Sequence, residues 1–365
     1  VLLVGPTEAA SGKAFGVPPE IIDQLARSGQ FDAIIIEADG SRMRPFKAPA
    51  AHEPVIPAAT SLVVPVVGLD VLGRPLTDDA VHRAELVSRL SATPFAAPVS
   101  AETIAAVLAH PNGGLKNVPA RARVVPLLNK VESMDRHAAA RAIAARLLVT
   151  PQIDSVAIGS VKSAENPIAA VNSRVAAVVL AAGGSSRFGA PKQLARWQNS
   201  TLIERAADVA LESAAGPVLV VLGRAAEACR AALGHRPLHI IDNPRWAEGQ
   251  STSMQAGLAE LPANTGAAIF LLVDQPGVTP EVINALIERH QTTLAPIVWP
   301  EFEGRRGNPV LFDRAVFSEL ARVSGDTGGR PVLQAHRHAA ERVTVTNPGI
   351  LQDIDRPADL AGQVV

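Results

Sequence analysis

Two features of this 365-residue chain carry chemistry in their residue types: a run of small residues ending in cations, and an acid that closes a strongly apolar run. The first reads Leu180-Ala181-Ala182-Gly183-Gly184-Ser185-Ser186-Arg187-Phe188-Gly189-Ala190-Pro191-Lys192 and directly follows the apolar stretch 175–180. Small residues let backbone N–H groups approach phosphate oxygens closely. Arg187 offers a planar fork for a phosphate, and Lys192 adds a compact positive charge. The spacing fits neither a Walker A loop nor a Rossmann fingerprint. Leu180, Ala181, Ala182, Gly183, Gly184 and Ser185 are expected to line a nucleotide, with Arg187 and Lys192 acting in catalysis. Asp274 follows the run 267–273. A carboxylate at that end of a strand is placed to hold Mg2+ on a triphosphate. Asp353 and Asp355, two residues apart, share one face of an extended chain. Asp355 is preferred as the second metal ligand, while the competing reading has either acid cap the helix after Pro357. This set, without a histidine base, suits a transfer at phosphorus driven by positioning and charge neutralisation.

Other polar positions extend the list. Ser251 and Ser253 stand at an expected helix start, where hydroxyls suit a ribose or phosphate, or serve as plain caps. Asn308, Asp326 and Arg330 lie in polar, glycine-rich loops that invite a ligand or form ordinary turns. In the first half, Glu37 and Asp39 close an apolar run, as acids near Mg2+ or a substrate do; a purely structural role is the alternative. Asn129-Lys130-Val131-Glu132 resembles the guanine-reading Asn-Lys-x-Asp of GTPases, with Glu in place of Asp, which leaves the base contact open. His82 and Glu85, at i and i+3, would share a helical face and a metal, though no third ligand is evident. His336 and His338 read as surface residues. Gly12-Lys13 fails as a Walker A loop.

Elements that position these residues follow from the hydrophobic pattern. Apolar runs alternate with amphipathic runs throughout, which predicts an α/β fold with mostly parallel sheet. Strands are expected at 33–37, 62–67, 124–128 and 155–158, with helices at 18–28, 79–90, 101–109 and 134–148. Past a break at 166–173, strands are expected at 175–180, 218–222, 238–241 and 267–273. Helices at 201–214, 225–233, 251–260 and 280–291 complete a doubly wound second domain. Domains are therefore drawn at 1–165 and 174–365, joined by a linker at 166–173. Net charge is −1, which gives no reason to expect a nucleic-acid or anionic-membrane partner. The single cysteine, Cys229, excludes an internal disulfide and fits a reducing cytoplasm. No apolar stretch is long enough to span a bilayer.

The glycine-rich segment resembles the signature of the MobA-like nucleotidyltransferases. Four further segments resemble that family in the same order: Val273-Asp274-Gln275-Pro276, Gly307-Asn308-Pro309-Val310, Gly325-Asp326-Thr327-Gly328-Gly329-Arg330 and Asp353-Ile354-Asp355-Arg356-Pro357-Ala358-Asp359-Leu360. The resemblance covers essentially all of 174–365. It implies a Rossmann-like nucleotidyltransferase domain that joins molybdopterin to a nucleotide with Mg2+ as cofactor. It places nucleotide contacts at 242–253, the pterin near Asn308 and Asp326, and Arg330 by the pterin's terminal phosphate. Leu180-Ala181-Ala182-Gly183, in place of Leu-Ala-Gly-Gly, and Asp274-Gln275-Pro276, in place of Asp-Met-Pro, resemble the cytidylyl-transferring branch. CTP is thus expected over GTP, with a molybdenum hydroxylase receiving the product. A guanylyltransferase on the same pterin and a non-catalytic cofactor carrier remain the alternatives.

Residues 1–165 resemble accessory proteins of selenium-dependent molybdenum hydroxylases (YqeC-like). The matching segments are Ile36-Glu37-Ala38-Asp39-Gly40-Ser41, Lys47-Ala48-Pro49-Ala50-Ala51-His52-Glu53-Pro54, Gly68-Leu69-Asp70, His82-Arg83-Ala84-Glu85 and Leu128-Asn129-Lys130-Val131-Glu132. The resemblance implies an N-terminally truncated P-loop-like α/β domain, whose phosphate loop is expected to precede residue 1.

Overall fold

A computed structural model of the chain describes Gly5, Glu8, residues 15–185 and residues 188–361. It divides into two compact units, Val1–Asn172 and Ser173–Val365.

In the first unit, parallel strands Val66–Gly68, Leu127–Asn129 and Ser155–Gly159 lie side by side, with Val66 opposite Leu127 and Leu127 opposite Ala157. A shorter parallel pair, Leu62–Val63 with Arg123–Val124, precedes two of them in the chain. Pro65 and Pro126 separate the pairs, so each expected single strand is cut in two. Proline brings no N–H to a ladder, and each break falls at one. The run 33–37, expected as a strand, is not one. Ile35 is 97 % exposed, and no described strand pairs with it. An apolar run becomes a strand only where a neighbour takes its backbone groups. Helices span Pro19–Ser28, Ala84–Ser91, Ala101–Leu108 and Met134–Leu147. The expected helix at 79–90 starts only at Ala84, because Val81–His82 is a strand parallel to Phe46–Lys47. His82 therefore sits on a strand and Glu85 on a helix, which removes the shared helical face. Leu69, Ile104, Leu128, Ile143, Leu147 and Ile158 fill the core.

The strand Ile168–Ala181 runs through residues 168–173, expected as linker, and its residues 173–181 form the centre of the second unit. Val218–Leu222 runs parallel to it on one side, with His239–Asp242 parallel beyond. Thr265–Leu272 runs parallel on the other side. The next strand, Val310–Asp313, is antiparallel to Thr265–Leu272, and Ile297–Phe302 is antiparallel to it in turn. Glu341–Thr344 lies parallel to Ile297–Phe302. The sheet is thus a four-stranded parallel centre with a mixed flank, rather than parallel throughout.

Alternation along the central strand divides its side chains between two layers. Val175, Ala177, Val179 and Ala181 join helices Leu202–Glu212 and Pro280–Thr293 in one apolar layer. Ala176, Val178, Leu180 and Ala182 join Met254, Val332 and Leu333 in the other. Burial on both faces explains why the strand is apolar without alternation. Its chain connections diverge to either side at this strand, and such a point opens a crevice at the carboxyl ends. Ala181, Leu222 and Leu272 mark that edge.

Candidate active site

The carboxyl edge of the second unit gathers residues distant in sequence. Lys192 begins a single 3-10 turn, Lys192–Leu194. Its Nζ lies 2.7 Å from Asp274 Oδ2, 3.5 Å from Asp355 Oδ1 and 3.3 Å from the Ile354 carbonyl. The Ile354 N–H donates to the Asp274 carbonyl at 2.8 Å, so main chain as well as side chains fixes the two acidic segments together. The Lys192 side chain is 15 % exposed and that of Asp274 22 %, against 49 % for Asp355. The ammonium is thus held in a recess whose outer wall is Asp355.

Asp353 belongs to the same cluster. Its Oδ1 accepts from Gln275 Nε2 at 2.7 Å. Desolvation raises its carboxyl above the ordinary aspartate value, and the Asp274 and Asp355 charges add to that, while the Gln275 hydrogen bond and Lys192 oppose it. Gln275 is buried, and its Oε1 has no hydrogen-bond partner among the described residues. Asp359 Oδ2 accepts from the N–H groups of Asp355 and Arg356 at 2.9 and 2.8 Å.

The glycine-rich loop is shaped by a residue that sequence reading passed over. Gln193, 1 % exposed, donates through Nε2 to the carbonyls of Ala181 (3.0 Å) and Gly183 (2.7 Å). Across a trans peptide the N–H opposes the C=O, so the Ala182 and Gly184 N–H groups aim away from Gln193. Ser185 Oγ donates to Gln193 Oε1 at 3.2 Å and accepts from the Lys192 N–H at 3.1 Å, closing the loop's two ends. Ser185 takes a left-handed φ of 53°. A Cβ on Gly184 would stand 3.0 Å from the Trp246 ring, so the chain passes closely over that indole. Ser186 and Arg187 lie outside the described residues, as does Gly12-Lys13.

The helix Gln250–Ala259 borders the crevice, but its hydroxyls are committed internally. Ser251 Oγ donates to the Gly325 carbonyl at 2.7 Å, and Ser253 Oγ accepts from Asn243 Nδ2 at 3.0 Å. Both serines are buried, and the helix cap position is Gly249. Neither serine is therefore an N-cap. Asp326 Oδ1 accepts from the Gln250 N–H at 3.1 Å and so serves the start of this helix. Arg330 is exposed at the first position of helix Arg330–Ala335. The Asn308 N–H donates to the Ile350 carbonyl at 3.1 Å. Among the described residues, no hydrogen bond or ion pair joins Asn308, Asp326 and Arg330 to one another. The interactions that tighten this edge run instead through Gln193, Asn243 and Gln275. Their one sequence signal is an amide beside a charged or turn residue.

Oxygen donors of this kind suit a hard divalent cation. Two carboxylates share the Lys192 ammonium with Asp353 close by, which leaves negative charge for a cation to balance. Among the described residues no group of three or more Asp, Glu, His or Cys forms a ready metal cage. A cation held by Asp274 and Asp355 would take its other ligands from phosphate and water, the habit of Mg2+.

In the first unit, Lys47 Nζ lies 2.7 Å from Asp39 and 3.3 Å from Glu53, and Arg83 grips Glu53 with two bonds of 2.8 and 2.9 Å. The Arg83 hydrogen bonds, with Lys47, hold the Glu53 carboxyl at about 2 against the desolvation that opposes them. Burial first, then the charges of Arg83, Arg42 and Lys47, pull His82 below its ordinary value. Glu37 is exposed.

The model of the MobA-like NTP transferase domain matches residues 177–340, and that of the YqeC protein matches residues 1–85. Nicotine blue oxidoreductase of Paenarthrobacter nicotinovorans is 31 % identical over 189 residues, 50 % of this chain and 92 % of that protein. The chain belongs to the MobA-like NTP transferase family. Molybdenum cofactor cytidylyltransferase of Escherichia coli (strain K12) is 27 % identical over 189 residues, covering 51 % of this chain and 94 % of that enzyme. The uncharacterized protein YqeC of the same organism is 38 % identical over 123 residues. That match covers 34 % of this chain and 48 % of YqeC, so the chain spans about half the length of this relative. The MobA-like unit is a nucleotidyltransferase domain, preceded by a YqeC domain. None of the described helices is long and apolar enough to cross a membrane.

Proposed function

We propose that the second unit transfers CMP from CTP to molybdopterin, releasing pyrophosphate and forming the cytosine dinucleotide cofactor for a molybdenum hydroxylase. The observation that carries this reading is the convergence of Lys192, Asp274 and Asp355 within 3.5 Å beside the glycine-rich loop. A terminal phosphate oxygen of the pterin forms a bond to the α-phosphorus of CTP as the bond to pyrophosphate breaks. Lys192 turns from Asp355 toward the phosphate oxygens and holds the nucleotide against the loop. Ala182 and Gly184 present backbone N–H groups to the same oxygens, and Gln193 keeps those groups aimed. Arg187 adds a forked cation on the departing pyrophosphate. Asp274 and Asp355 hold Mg2+, which when bound neutralises the triphosphate and stabilises the charge that develops on transfer. Asn308, Asp326 and Arg330 are assigned to the pterin and Leu180–Ser185 to the nucleotide side, with the buried Ser253 holding Asn243 behind it. The domain boundaries at 165 and 174 and a cytoplasmic location belong to the same proposal.

Support for CTP comes from Leu180-Ala181-Ala182-Gly183, from Gln275 after Asp274, and from the likeness to a molybdenum cofactor cytidylyltransferase. The test incubates the protein with Mg2+, molybdopterin and each nucleoside triphosphate in turn and measures pyrophosphate. CTP is expected to give the fastest release, and Asp274→Ala to abolish release while keeping pterin binding. Equal or faster release with GTP overturns the nucleotide assignment. No release with any triphosphate removes the transferase reading and favours a carrier or, as the name of the 31 % identical relative would have it, an oxidoreductase.

A further inference from the structure

A second group of polar side chains stands at the carboxyl edge of the first unit's parallel strands, apart from the proposed transfer. Asn129 is the last residue of the strand Leu127–Asn129, and Gly159 ends its neighbour. Asn129 Oδ1 accepts from its own successor's N–H, that of Lys130, at 2.8 Å and from the Val161 N–H at 3.0 Å. Both lone-pair directions of the amide oxygen are used, which fixes the amide plane. Its Nδ2 then has no partner among the described residues. Glu132 Oε1 accepts from Ser160 Oγ at 3.0 Å. Asn129 and Glu132 thus lean on the adjacent residues Ser160 and Val161, and an amide NH2 and a carboxylate face one small area. Between them, Lys130 takes a left-handed φ of 60° and ties its Nζ to Asp70 at 2.8 Å. A non-glycine residue held there costs energy and marks a place where the fold insists on a side-chain direction. The tether to Asp70 also fixes the lysine's hydrocarbon stem, an apolar flank for a ring.

These donors and acceptors select their ligand by hydrogen-bond pattern. An exposed carboxylate with only acceptors calls for two adjacent N–H donors. Among the common bases, guanine presents that pair on one edge, N1–H beside the exocyclic 2-amino group. A free amide NH2 calls for an acceptor, which N7 and O6 provide on the opposite side of the same ring. Adenine puts an acceptor at N1 against the carboxylate, and hypoxanthine lacks the 2-amino donor. We infer that Asn129, Glu132, Ser160 and the Lys130 stem form a guanine-binding subsite in the first unit, with Glu132 reading the N1–H and 2-amino pair.

The experiment uses the full chain with excess CTP present, so that the second unit is occupied. A fluorescent GDP is titrated by anisotropy and competed with unlabelled GDP, IDP, ADP and XDP. GDP is expected to compete at least tenfold better than IDP or ADP. Glu132→Gln exchanges one acceptor for a donor, matching xanthine, whose 2-position is a carbonyl. This variant should lose at least tenfold in GDP affinity and gain a comparable factor for XDP, with an unchanged melting temperature. The reciprocal gain separates base reading from a general loss of structure. The inference is overturned if GDP does not bind, if IDP or ADP competes equally, or if Glu132→Gln leaves the order of the four nucleotides as it was.

Discussion

At the scale of single residues, the second unit turns on one ammonium with two carboxylate neighbours. Removing it leaves Asp274 and Asp355 facing each other without a cation, and leaves the phosphates without their point charge. Lys192→Ala is expected to slow pyrophosphate release by roughly 10²–10³-fold, the range for loss of one preorganised electrostatic group. A circular dichroism spectrum matching wild type would show that the loss is local; release within threefold of wild type would contradict the role. Glu53 makes a residue-scale prediction in the first unit. Its carboxyl sits at about 2 in the folded protein against an ordinary value of 4.5. A depressed acid stabilises the fold above 4.5 and loses that contribution as pH falls from 4.5 toward 2, at most about 3 kcal/mol. Glu53→Gln should therefore melt lower than wild type at neutral pH, with the two melting curves converging below pH 4.5. A constant difference across that window would point to packing instead.

At the scale of elements, the strands that bury both faces are legible because their apolar runs are long and uninterrupted, as at Val218–Leu222. The run 33–37 has the same composition and misleads, since composition cannot supply the neighbouring strand that a ladder needs. Pro65 and Pro126 were readable breaks, but the apolar residues either side masked them. Lys192 and Asp274 stood out because charge beside an apolar strand is costly without a purpose. Gln193 did not: its value lies in reaching Ala181 and Gly183, which only the folded turn brings near. The turn held by Asp359 is hidden for a like reason, since three acids in that segment look equivalent until the chain bends. The loop's dependence on Gln193 is testable. Gln193→Leu keeps similar bulk but leaves the buried Ala181 carbonyl without its donor, at about 1–3 kcal/mol, and frees the exposed Gly183 carbonyl to water. A lower melting temperature and a roughly tenfold higher KM for the nucleotide are expected, with kcat less affected. An unchanged KM would show that the loop keeps its form without the amide.

At the scale of the whole molecule, each of the two units has its own apolar core, and a probe that answers to one alone is useful. Cys229, the only cysteine of the chain, is 1 % exposed in the second unit's core, and burial pushes its thiol up to about 11. Thiolate is the reactive form, so the native protein should resist a disulfide reagent at neutral pH. Labelling should begin only when the second unit opens, and its denaturant midpoint then reports on that unit alone. Rapid labelling of the native protein would contradict the burial. The acidic rim has a consequence of its own. With Asp274, Asp353 and Asp355 clustered about Lys192, a bare triphosphate is expected to be repelled by the charge of that rim. Under the proposed function the chelated nucleotide is the form such a rim would admit, ahead of the second substrate. Calorimetric titration of CTP in chelator should give little heat, and adding back divalent cation should restore it.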